Sequence, residues 1–320
     1  MKLGGCRPTP PRGSGRRLPR ATEKWIARAS RFPAPGDHCR PPPRHRRRTR
    51  ERGPGRRGQP RFHPRRRPVP PRLPPGYEDD LRKETHVVPA ARLVGVLTPE
   101  IVEYDETHRL LPAPYVVMER IHGAEPTEAP TTLANELARL HQLHHTPDPT
   151  LVIPGVPEDD WGDPWRTVDD LATRGYVDPA TASWLTGWFT RLAERFDDSG
   201  PKVLIHGDVA AHNLLAGPGN ELRALIDWGD ASWAPRAMEF AKLPLTQVAK
   251  LLPVYARQSP DSEEDLAAAI LWFHLSWALA KLPASPWPDQ RHWTAPTASR
   301  LLNILHFFTT TPPTPWAELT

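Results

Sequence analysis

The chain has 320 residues, enough for one large or two ordinary domains. Its 42 lysines and arginines and 37 acidic residues give a formal net charge of +5, but the charge is unevenly divided. Residues 1–76 hold 23 basic and three acidic side chains, whereas residues 77–320 hold 19 basic and 34 acidic ones. A strongly basic segment therefore precedes an acidic body, and the overall isoelectric point describes neither.

The cysteine and apolar content excludes several protein classes. Both cysteines, Cys6 and Cys39, lie in the basic segment, so the body has no disulfide framework and no thiolate metal site. The N-terminus lacks the apolar core of a signal peptide. The most apolar run, residues 267–280, is too short to span a bilayer. We expect a cytoplasmic protein without a membrane partner.

The composition of residues 1–75 predicts a disordered, basic, Pro/Arg-rich segment. Residues 1–76 contain 17 of the 42 prolines, and proline opposes both helices and strand ladders. A locally helical pattern occurs at residues 22–32. Two alternatives stay open: a nucleic-acid-binding arm, or a small lobe mistranslated from a wrong reading frame or a misplaced start codon.

The acidic body shows alternating helix and strand patterns from about residue 76 onward. Pro89 is expected to kink or end the first helix, and Gly95 to close the next helical stretch. A few strands followed by a helical body predict an α+β fold with two lobes, divided into residues 76–123 and 124–320. The predicted strands are 101–104, 115–119, 202–205 and 223–226, and the predicted helices are 78–88, 131–145, 167–174, 178–197, 235–257, 262–281 and 290–309.

Two polar segments follow apolar strands in the second half of the chain. HGDVAAHN occupies residues 206–213 and LIDW occupies residues 225–228. The turn residues Pro218, Gly219 and Asn220 predict a hairpin joining strands 202–205 and 223–226. Asp208, Asn213 and Asp227 would then converge. An acid that orients a hydroxyl, beside oxygen ligands for a hard cation, is the arrangement that phosphoryl transfer requires.

These segments resemble the aminoglycoside phosphotransferase and choline-kinase-like family, relatives of the protein kinases. YVVMERIHG at residues 115–123 resembles the hinge strand of that family, and ELARLH at residues 136–141 resembles its first large-lobe helix. The resemblance covers about residues 76–310. It implies a two-lobed protein-kinase-like fold with a mainly helical C-terminal lobe.

The resemblance also implies roles for individual residues. Asp208 would accept or orient the proton of the acceptor hydroxyl, and Asn213 and Asp227 would bind Mg²⁺. His206 would brace the catalytic loop through hydrogen bonds. In the hinge, the backbone of Met118, Glu119 and Ile121 would contact the base of ATP or GTP. Glu84 would pair with a phosphate-binding lysine.

The small lobe departs from the family pattern. Neither a glycine-bearing hairpin nor a lysine on a strand is legible, since the glycine-rich stretch 53–58 has no flanking strands. Of the lysines preceding Glu84, which are Lys2, Lys24 and Lys83, none is expected on a strand. The small lobe is therefore expected to be incomplete.

The expected function is transfer of the γ-phosphoryl group of ATP or GTP to a hydroxyl of an aminoglycoside-like, amino-alcohol or other small substrate. The acidic body favours a cationic acceptor, with Asp230 and Glu239 as candidate contacts. His141, His144 and His145 are expected to have a structural role rather than to bind a metal. The alternatives are a catalytically inactive kinase-like binding protein and a basic nucleic-acid-binding protein acting through residues 1–76.

Overall fold

The computed structural model describes residues 24–26, 77–146, 152–196, 200–286 and 296–320. The predictions for residues 1–75, including the glycine-rich stretch 53–58, lie outside the described residues. The short strand at residues 24–26 is the exception. The division into segments at residues 75 and 123 stays a prediction.

Seven strands and seven α-helices are found in the described part of the chain. The strands are β1 (Lys24–Ile26), β2 (Ile101–Asp105), β3 (Tyr115–Glu119), β4 (Val203–Ile205), β5 (Leu214–Ala216), β6 (Leu222–Leu225) and β7 (Ser232–Ala234). The helices are α1 (Tyr77–Leu93), α2 (Leu133–Leu140), α3 (Pro164–Thr173), α4 (Pro179–Ala193), α5 (Leu245–Ala256), α6 (Glu263–Lys281) and α7 (Ser299–Thr309).

The N-terminal part combines helix α1 with an antiparallel sheet in the order β1-β3-β2. Three acidic residues open α1, where they favourably oppose the helix dipole. Pro89 lies inside α1 and does not end it, contrary to one of the two expected outcomes. Gly95 follows the helix with a φ of +87°, and its N–H donates to Arg92 O, so its predicted left-handed conformation is confirmed.

Strand β1 corrects two predictions. Lys24 lies in this strand and pairs with Glu119 of β3, although no lysine preceding Glu84 was expected on a strand. The helical pattern at residues 22–32 likewise contains a strand at Lys24–Ile26. The apolar residues of so short a stretch suit either structure, and pairing with a distant strand decides between them.

Two small antiparallel ladders carry the polar segments of the second half. Strand β4 pairs with β7, and β5 pairs with β6. The predicted hairpin between residues 202–205 and 223–226 is therefore wrong in its first strand, because β5 supplies the partner of β6. The turn itself is confirmed, since Asn220 has a φ of +59° and its N–H donates to Gly217 O.

The C-terminal part is a helical body packed around α6. This helix is buried on almost all sides, between α4, α5 and α7 and a 3₁₀ helix at Arg236–Lys242. The predicted helix 235–257 is thus divided into the 3₁₀ helix and α5. Pro244 explains the division, because it lacks an N–H and disfavours helical backbone at the residue before it. No helix among the described residues is long and apolar enough to cross a membrane.

The architecture confirms the predicted α+β class with a small sheet-bearing part and a mainly helical C-terminal part. The two parts meet through backbone contacts as well as side chains. Ala124 and Ala216 exchange hydrogen bonds of 2.9 Å, and Leu225 N donates to Leu97 O at 2.8 Å. These contacts join the end of the hinge segment and the start of the sheet to the β5–β6 hairpin, which carries the candidate site.

Candidate active site

The candidate catalytic loop begins where β4 ends, and a glycine determines its path. Gly207 has a φ of +78°, a conformation that side chains rarely tolerate. A Cβ at this position would lie 2.2 Å from the carbonyl oxygen of Asp230. The close approach brings the loop after β4 against the segment after Asp227, so the two polar segments of the sequence become neighbours.

A buried carboxylate holds the start of this loop. Glu239 is 2% exposed, and its two oxygens accept the backbone N–H groups of His206 at 2.7 Å and Gly207 at 3.0 Å. His141 Nε2 lies 3.5 Å from the same carboxylate. The expectation that Glu239 faces a substrate is therefore wrong, because its buried carboxylate anchors the start of the candidate catalytic loop. Its position in an otherwise apolar stretch was the available sequence signal.

His206 connects the two polar segments. Its Nδ1 accepts the N–H of Asp208 at 3.3 Å, and its Nε2 donates to the carbonyl of Ile226 at 3.1 Å. The imidazole is fully buried and packs on Trp228, with 4.6 Å between ring centroids. These bonds tie the residue before Asp227 to Asp208, which is the geometry that the bracing role proposed for His206 requires.

Asp208 and Asn213 contact each other directly. Asn213 Nδ2 donates to the Asp208 carboxylate oxygen Oδ2 at 2.8 Å and to its backbone carbonyl at 2.9 Å. His212 Nε2 lies 3.3 Å from Oδ2, and Lys242 Nζ lies 2.9 Å from Oδ1. Burial raises the pKa of Asp208, but His212 and Lys242 together outweigh it and hold that pKa well below its usual value. The carboxylate is therefore ionised at neutral pH.

Asp227 occupies a strained and acidic position. Its φ is +68°, which places a non-glycine residue in the left-handed region. Burial, the neighbouring Asp208 and Asp230 raise its pKa. Asp80 of α1 is also close, because Asp227 Oδ1 and Asp80 Cγ both lie 3.6 Å from the position that a Cβ on Gly229 would take. In the part of the chain that the structure describes, no lysine or arginine forms an ion pair with Asp227.

The donor set fits a hard divalent cation. The Nδ2 group of Asn213 is used by Asp208, so its amide oxygen is directed elsewhere and stays available as a ligand. Asp227 adds a carboxylate in surroundings of excess negative charge, which a cation would relieve. Among the described residues, no group of three or more His, Cys, Asp or Glu side chains forms a metal site on its own. Mg²⁺ suits such a sparse oxygen set, because it keeps several ligands from water and phosphate.

Glu84 of α1 contacts the second polar segment. Its Oε1 accepts the N–H of Trp228 at 2.8 Å, and the side chain is 7% exposed. Burial, followed by the charge of Asp227, raises the pKa of Glu84 to about 7. The Trp228 indole donates to Thr98 Oγ1 at 2.9 Å. Glu84 thus joins the small sheet-bearing part to the residue that follows Asp227.

The three hinge residues differ in how their backbones are used. Met118 lies within β3, which is paired on both sides. The N–H of Glu119 donates to Glu100 O at 2.8 Å. Ile121 follows the strand, and within the described ranges its backbone groups have no hydrogen-bond partner. Of the three, Ile121 therefore has the backbone groups best placed to bind a ligand.

The three histidines at residues 141–145 each contact a different part of the described chain. His141 Nδ1 lies 2.6 Å from the Tyr255 hydroxyl, and burial lowers its pKa. His144 bridges to Val203, and His145 Nδ1 lies 3.6 Å from Glu158. The expected structural role of these residues agrees with this arrangement.

Sequence reasoning missed three residues near Asp208 and Asp227. Lys242 and His212 contact the Asp208 carboxylate, and Asp80 approaches Asp227. His212 is four residues from Asp208, so its spacing was a usable signal. Lys242 and Asp80 are brought in by the 3₁₀ helix and α1, and their residue types alone gave no indication.

The fold and this arrangement of candidate oxygen ligands are typical of a kinase-like phosphotransferase. A family model described as the phosphotransferase enzyme family, APH, matches residues 69–264. Because the match spans more than half of the chain, the protein belongs to this family, and it is a phosphotransferase. No curated protein matches the chain at a significant level.

Several solved structures are similar to the chain. The GDP complex of aminoglycoside 2'-phosphotransferase-IIIa is 20% identical, with 72% of this chain and 81% of that chain covered and a TM-score of 0.47. A choline/ethanolamine kinase family protein from Mesorhizobium loti is 15% identical, covering 74% and 82%, with a TM-score of 0.49. The aminoglycoside phosphotransferase APH(3'')-Id of Streptomyces rimosus, in complex with ADP and streptomycin, is 15% identical, covering 64% and 85%, with a TM-score of 0.39.

Proposed function

We propose that the protein transfers the γ-phosphoryl group of ATP or GTP to a hydroxyl group of a small molecule. The observation that carries this proposal is the direct contact of Asp208 with Asn213 beside Asp227, within a member of a phosphotransferase family. Phosphoryl transfer depends mainly on positioning and charge stabilisation, and an ionised, immobilised carboxylate supplies both for the acceptor.

Asp208 is the proposed catalytic residue. Its carboxylate accepts the proton of the acceptor hydroxyl while the hydroxyl oxygen forms a bond to the γ-phosphorus. The bond from that phosphorus to the β–γ bridging oxygen breaks, and the nucleoside diphosphate leaves with the electron pair. The low pKa of Asp208 suits this role, because a loose transition state depends more on the orientation of the hydroxyl than on a strong base.

Asn213 and Asp227 are the proposed ligands of Mg²⁺, which when bound neutralises charge on the nucleotide phosphates. The Nδ2 contact to Asp208 orients the Asn213 amide, and the fixed backbone of Asp227 orients its carboxylate. His206 is a positioning residue that keeps both segments in register through Ile226.

The nucleotide base is proposed to bind at the hinge. Ile121 supplies backbone groups that hydrogen-bond to none of the described residues, whereas Met118 and Glu119 shape the strand that precedes it. Glu84 stays the proposed partner of a phosphate-binding lysine, and its Oε1 also accepts the N–H of Trp228. Lys24 lies in the sheet beside the hinge strand. Cytoplasmic location and a role in antibiotic resistance remain part of this proposal.

A nucleotide-release assay tests the function. The purified chain is incubated with ATP or GTP and a panel of aminoglycosides, amino alcohols, sugars and hydroxy acids. Formation of the nucleoside diphosphate is followed with and without Mg²⁺. We expect acceptor-dependent, Mg²⁺-dependent release. Mg²⁺-dependent nucleotide binding without transfer to any acceptor would identify an inactive kinase-like binding protein. Binding of neither nucleotide would contradict both.

A further inference from the structure

Lys242 bridges two carboxylates of the candidate site, those of Asp208 and Asp230. It ends the 3₁₀ helix at Arg236–Lys242, and its Nζ lies 2.9 Å from Asp208 Oδ1 and 3.1 Å from Asp230 Oδ2. The same ammonium lies 5.8 Å from the centroid of the Trp277 ring on α6. Lys242 therefore contacts the candidate catalytic carboxylate from the side of the helical body.

The contacts of Asp208 indicate where an acceptor hydroxyl approaches. Oδ2 is near two donors, Asn213 Nδ2 at 2.8 Å and His212 Nε2 at 3.3 Å. Oδ1 pairs with Lys242. A carboxylate oxygen accepts about two hydrogen bonds, so Oδ2 is saturated and Oδ1 keeps one position. The position open to an acceptor hydroxyl is thus at Oδ1, directly beside the Lys242 ammonium.

A second cation lies beyond the same tryptophan. Arg300 of α7 has its Cζ 5.2 Å from the Trp277 centroid and is 8% exposed. Within the described residues, its Nε and Nη1 have no hydrogen-bond partner, and no carboxylate is at ion-pair distance from it. Burial lowers the pKa of Arg300 to about 10, and the charge of Asp208 opposes this shift. Arg300 therefore adds a second positive charge that acts on Asp208 from the side of α7.

The acidic groups that face Lys242 are already engaged. Asp230 pairs with Lys242 itself. Asp159, whose charge also acts with Lys242, lies 3.3 Å from the Ser232 hydroxyl, and burial raises its pKa. An ammonium group of an acceptor would therefore have to displace Lys242 to reach either Asp208 or Asp230.

We propose that Lys242 positions the Asp208 carboxylate and, together with Arg300, makes the acceptor site selective for hydroxyl compounds that carry an anionic group beside the reacting hydroxyl. This rests on the proposed phosphoryl transfer. It reverses the sequence-based expectation of a cationic acceptor, because that expectation used the net charge of the whole body, whereas selectivity depends on the charges within a few ångströms of Asp208.

The test compares three acceptors of matched size that share a diol: glycerate, glycerol and aminopropanediol. Two like charges about 5 Å apart in partly buried surroundings repel each other, and this repulsion lowers binding on the order of a hundredfold. We expect wild-type kcat/KM to fall in the order glycerate, glycerol, aminopropanediol. Lys242→Met should lower the ratio of glycerate to aminopropanediol about a hundredfold, whereas Lys242→Arg should keep the order. Arg300→Met should lower the ratio by a smaller factor.

The positioning role is separated from selectivity by kcat with the neutral acceptor. With glycerol, Lys242→Met should reduce kcat about tenfold with little change in the KM for nucleotide, and Lys242→Arg should restore part of it. Lys250→Met is the matched control, since it removes an exposed lysine ion-paired to Glu128 at 2.7 Å. It should change neither the ratio nor kcat.

Three outcomes are distinguishable. A wild-type preference for aminopropanediol that Lys242→Met leaves unchanged overturns the selectivity, while phosphoryl transfer itself stands. If none of the three acceptors is phosphorylated, the wider acceptor panel decides the proposed function, and calorimetric binding of the same three compounds decides the selectivity alone. Equal binding of glycerate and aminopropanediol by the wild type would then refute it. Thermal melting of each variant checks that loss of folding is not the cause.

Discussion

The two sides of the candidate site are built from different kinds of sequence. On the catalytic side, residues 206–242 supply the proposed base, both proposed metal ligands, the anchoring Glu239 and Lys242 in one continuous stretch. On the opposite side, Glu84 in α1, the hinge strand β3 and strand β1 come from segments far apart in the chain. The catalytic side is thus held by many contacts within one stretch of the chain, whereas the other side is joined to it by a few bonds between distant segments.

Glu239→Ala tests how strongly the catalytic side is locked. It leaves the buried N–H groups of His206 and Gly207 without an acceptor, so we expect the free energy of unfolding to fall by about 4 kcal/mol. Urea denaturation measures the loss. Glu221→Ala is the control, because Glu221 also accepts a backbone N–H, from Gly219 at 3.0 Å, but in an exposed turn. Equal losses in the two variants would mean that Glu239 is no anchor.

Gly207→Ala probes the close approach of the two polar segments. The new Cβ would meet Asp230 O at 2.2 Å, so we expect a loss of about 3 kcal/mol in unfolding free energy. Gly175→Ala separates the clash from the backbone strain. Gly175 has a similar φ of +76°, but a Cβ added there would meet no atom within 4 Å, so this substitution should cost about 1 kcal/mol. Indistinguishable losses would rule out the clash.

The free energy of unfolding should depend on pH through His274, which lies beneath the catalytic side. This buried residue donates to Phe240 O at 3.1 Å, and burial, reinforced by the charge of Arg300, lowers its pKa to about 3. Above about pH 6.5 both folded and unfolded chains hold a neutral imidazole. As the pH falls below that value, the unfolded chain takes up a proton that the folded chain refuses, so stability is lost progressively towards pH 3.

His274→Gln provides the comparison, since the glutamine amide keeps a donor for Phe240 O but does not titrate. Between pH 7.5 and pH 5, the wild type should lose about 2 kcal/mol of unfolding free energy more than the variant does. Denaturant titrations at the two pH values measure this difference. Parallel pH dependence in both proteins would show that the imidazole is not excluded from protonation.

Glu84→Gln should have the smallest effect. It tests the opposite side, which is joined to the catalytic side by only a few bonds. A glutamine oxygen can still accept the Trp228 N–H, and the pKa of about 7 means that the carboxyl is already partly protonated at neutral pH. We expect unfolding free energy to change by less than about 1 kcal/mol and kcat by less than about tenfold. A hundredfold loss of kcat without loss of stability would instead support pairing of Glu84 with a lysine in the working enzyme.

The catalytic side was the more predictable from sequence, for a physical reason. Asp208 and Asn213 are five residues apart, so their contact follows from one turn of loop. The pairing of β4 with β7 was missed because a short apolar run does not specify its partner. Lys242 was missed because it reaches Asp208 through tertiary packing, and no local pattern marks it.

The opposite side was less predictable because its elements depend on distant partners. β2 and β3 were placed correctly, since they are adjacent and rich in strand-forming residues. Lys24 pairs with Glu119 across a separation of more than ninety residues, and only that pairing reveals its strand. Glu84 was placed in the correct helix, but its contact with Trp228 could not be deduced from helical spacing.

The most direct test of the central claim compares Asp208→Asn with Asp230→Asn in acceptor-dependent nucleoside diphosphate release. Both carboxylates pair with Lys242, so each variant removes one charge from the same bridge. We predict that Asp208→Asn lowers kcat by about a thousandfold with its melting temperature nearly unchanged, whereas Asp230→Asn lowers it less than about tenfold. Full activity in Asp208→Asn, or an equal loss in both variants, would contradict the assignment of Asp208 as the residue that receives the acceptor proton.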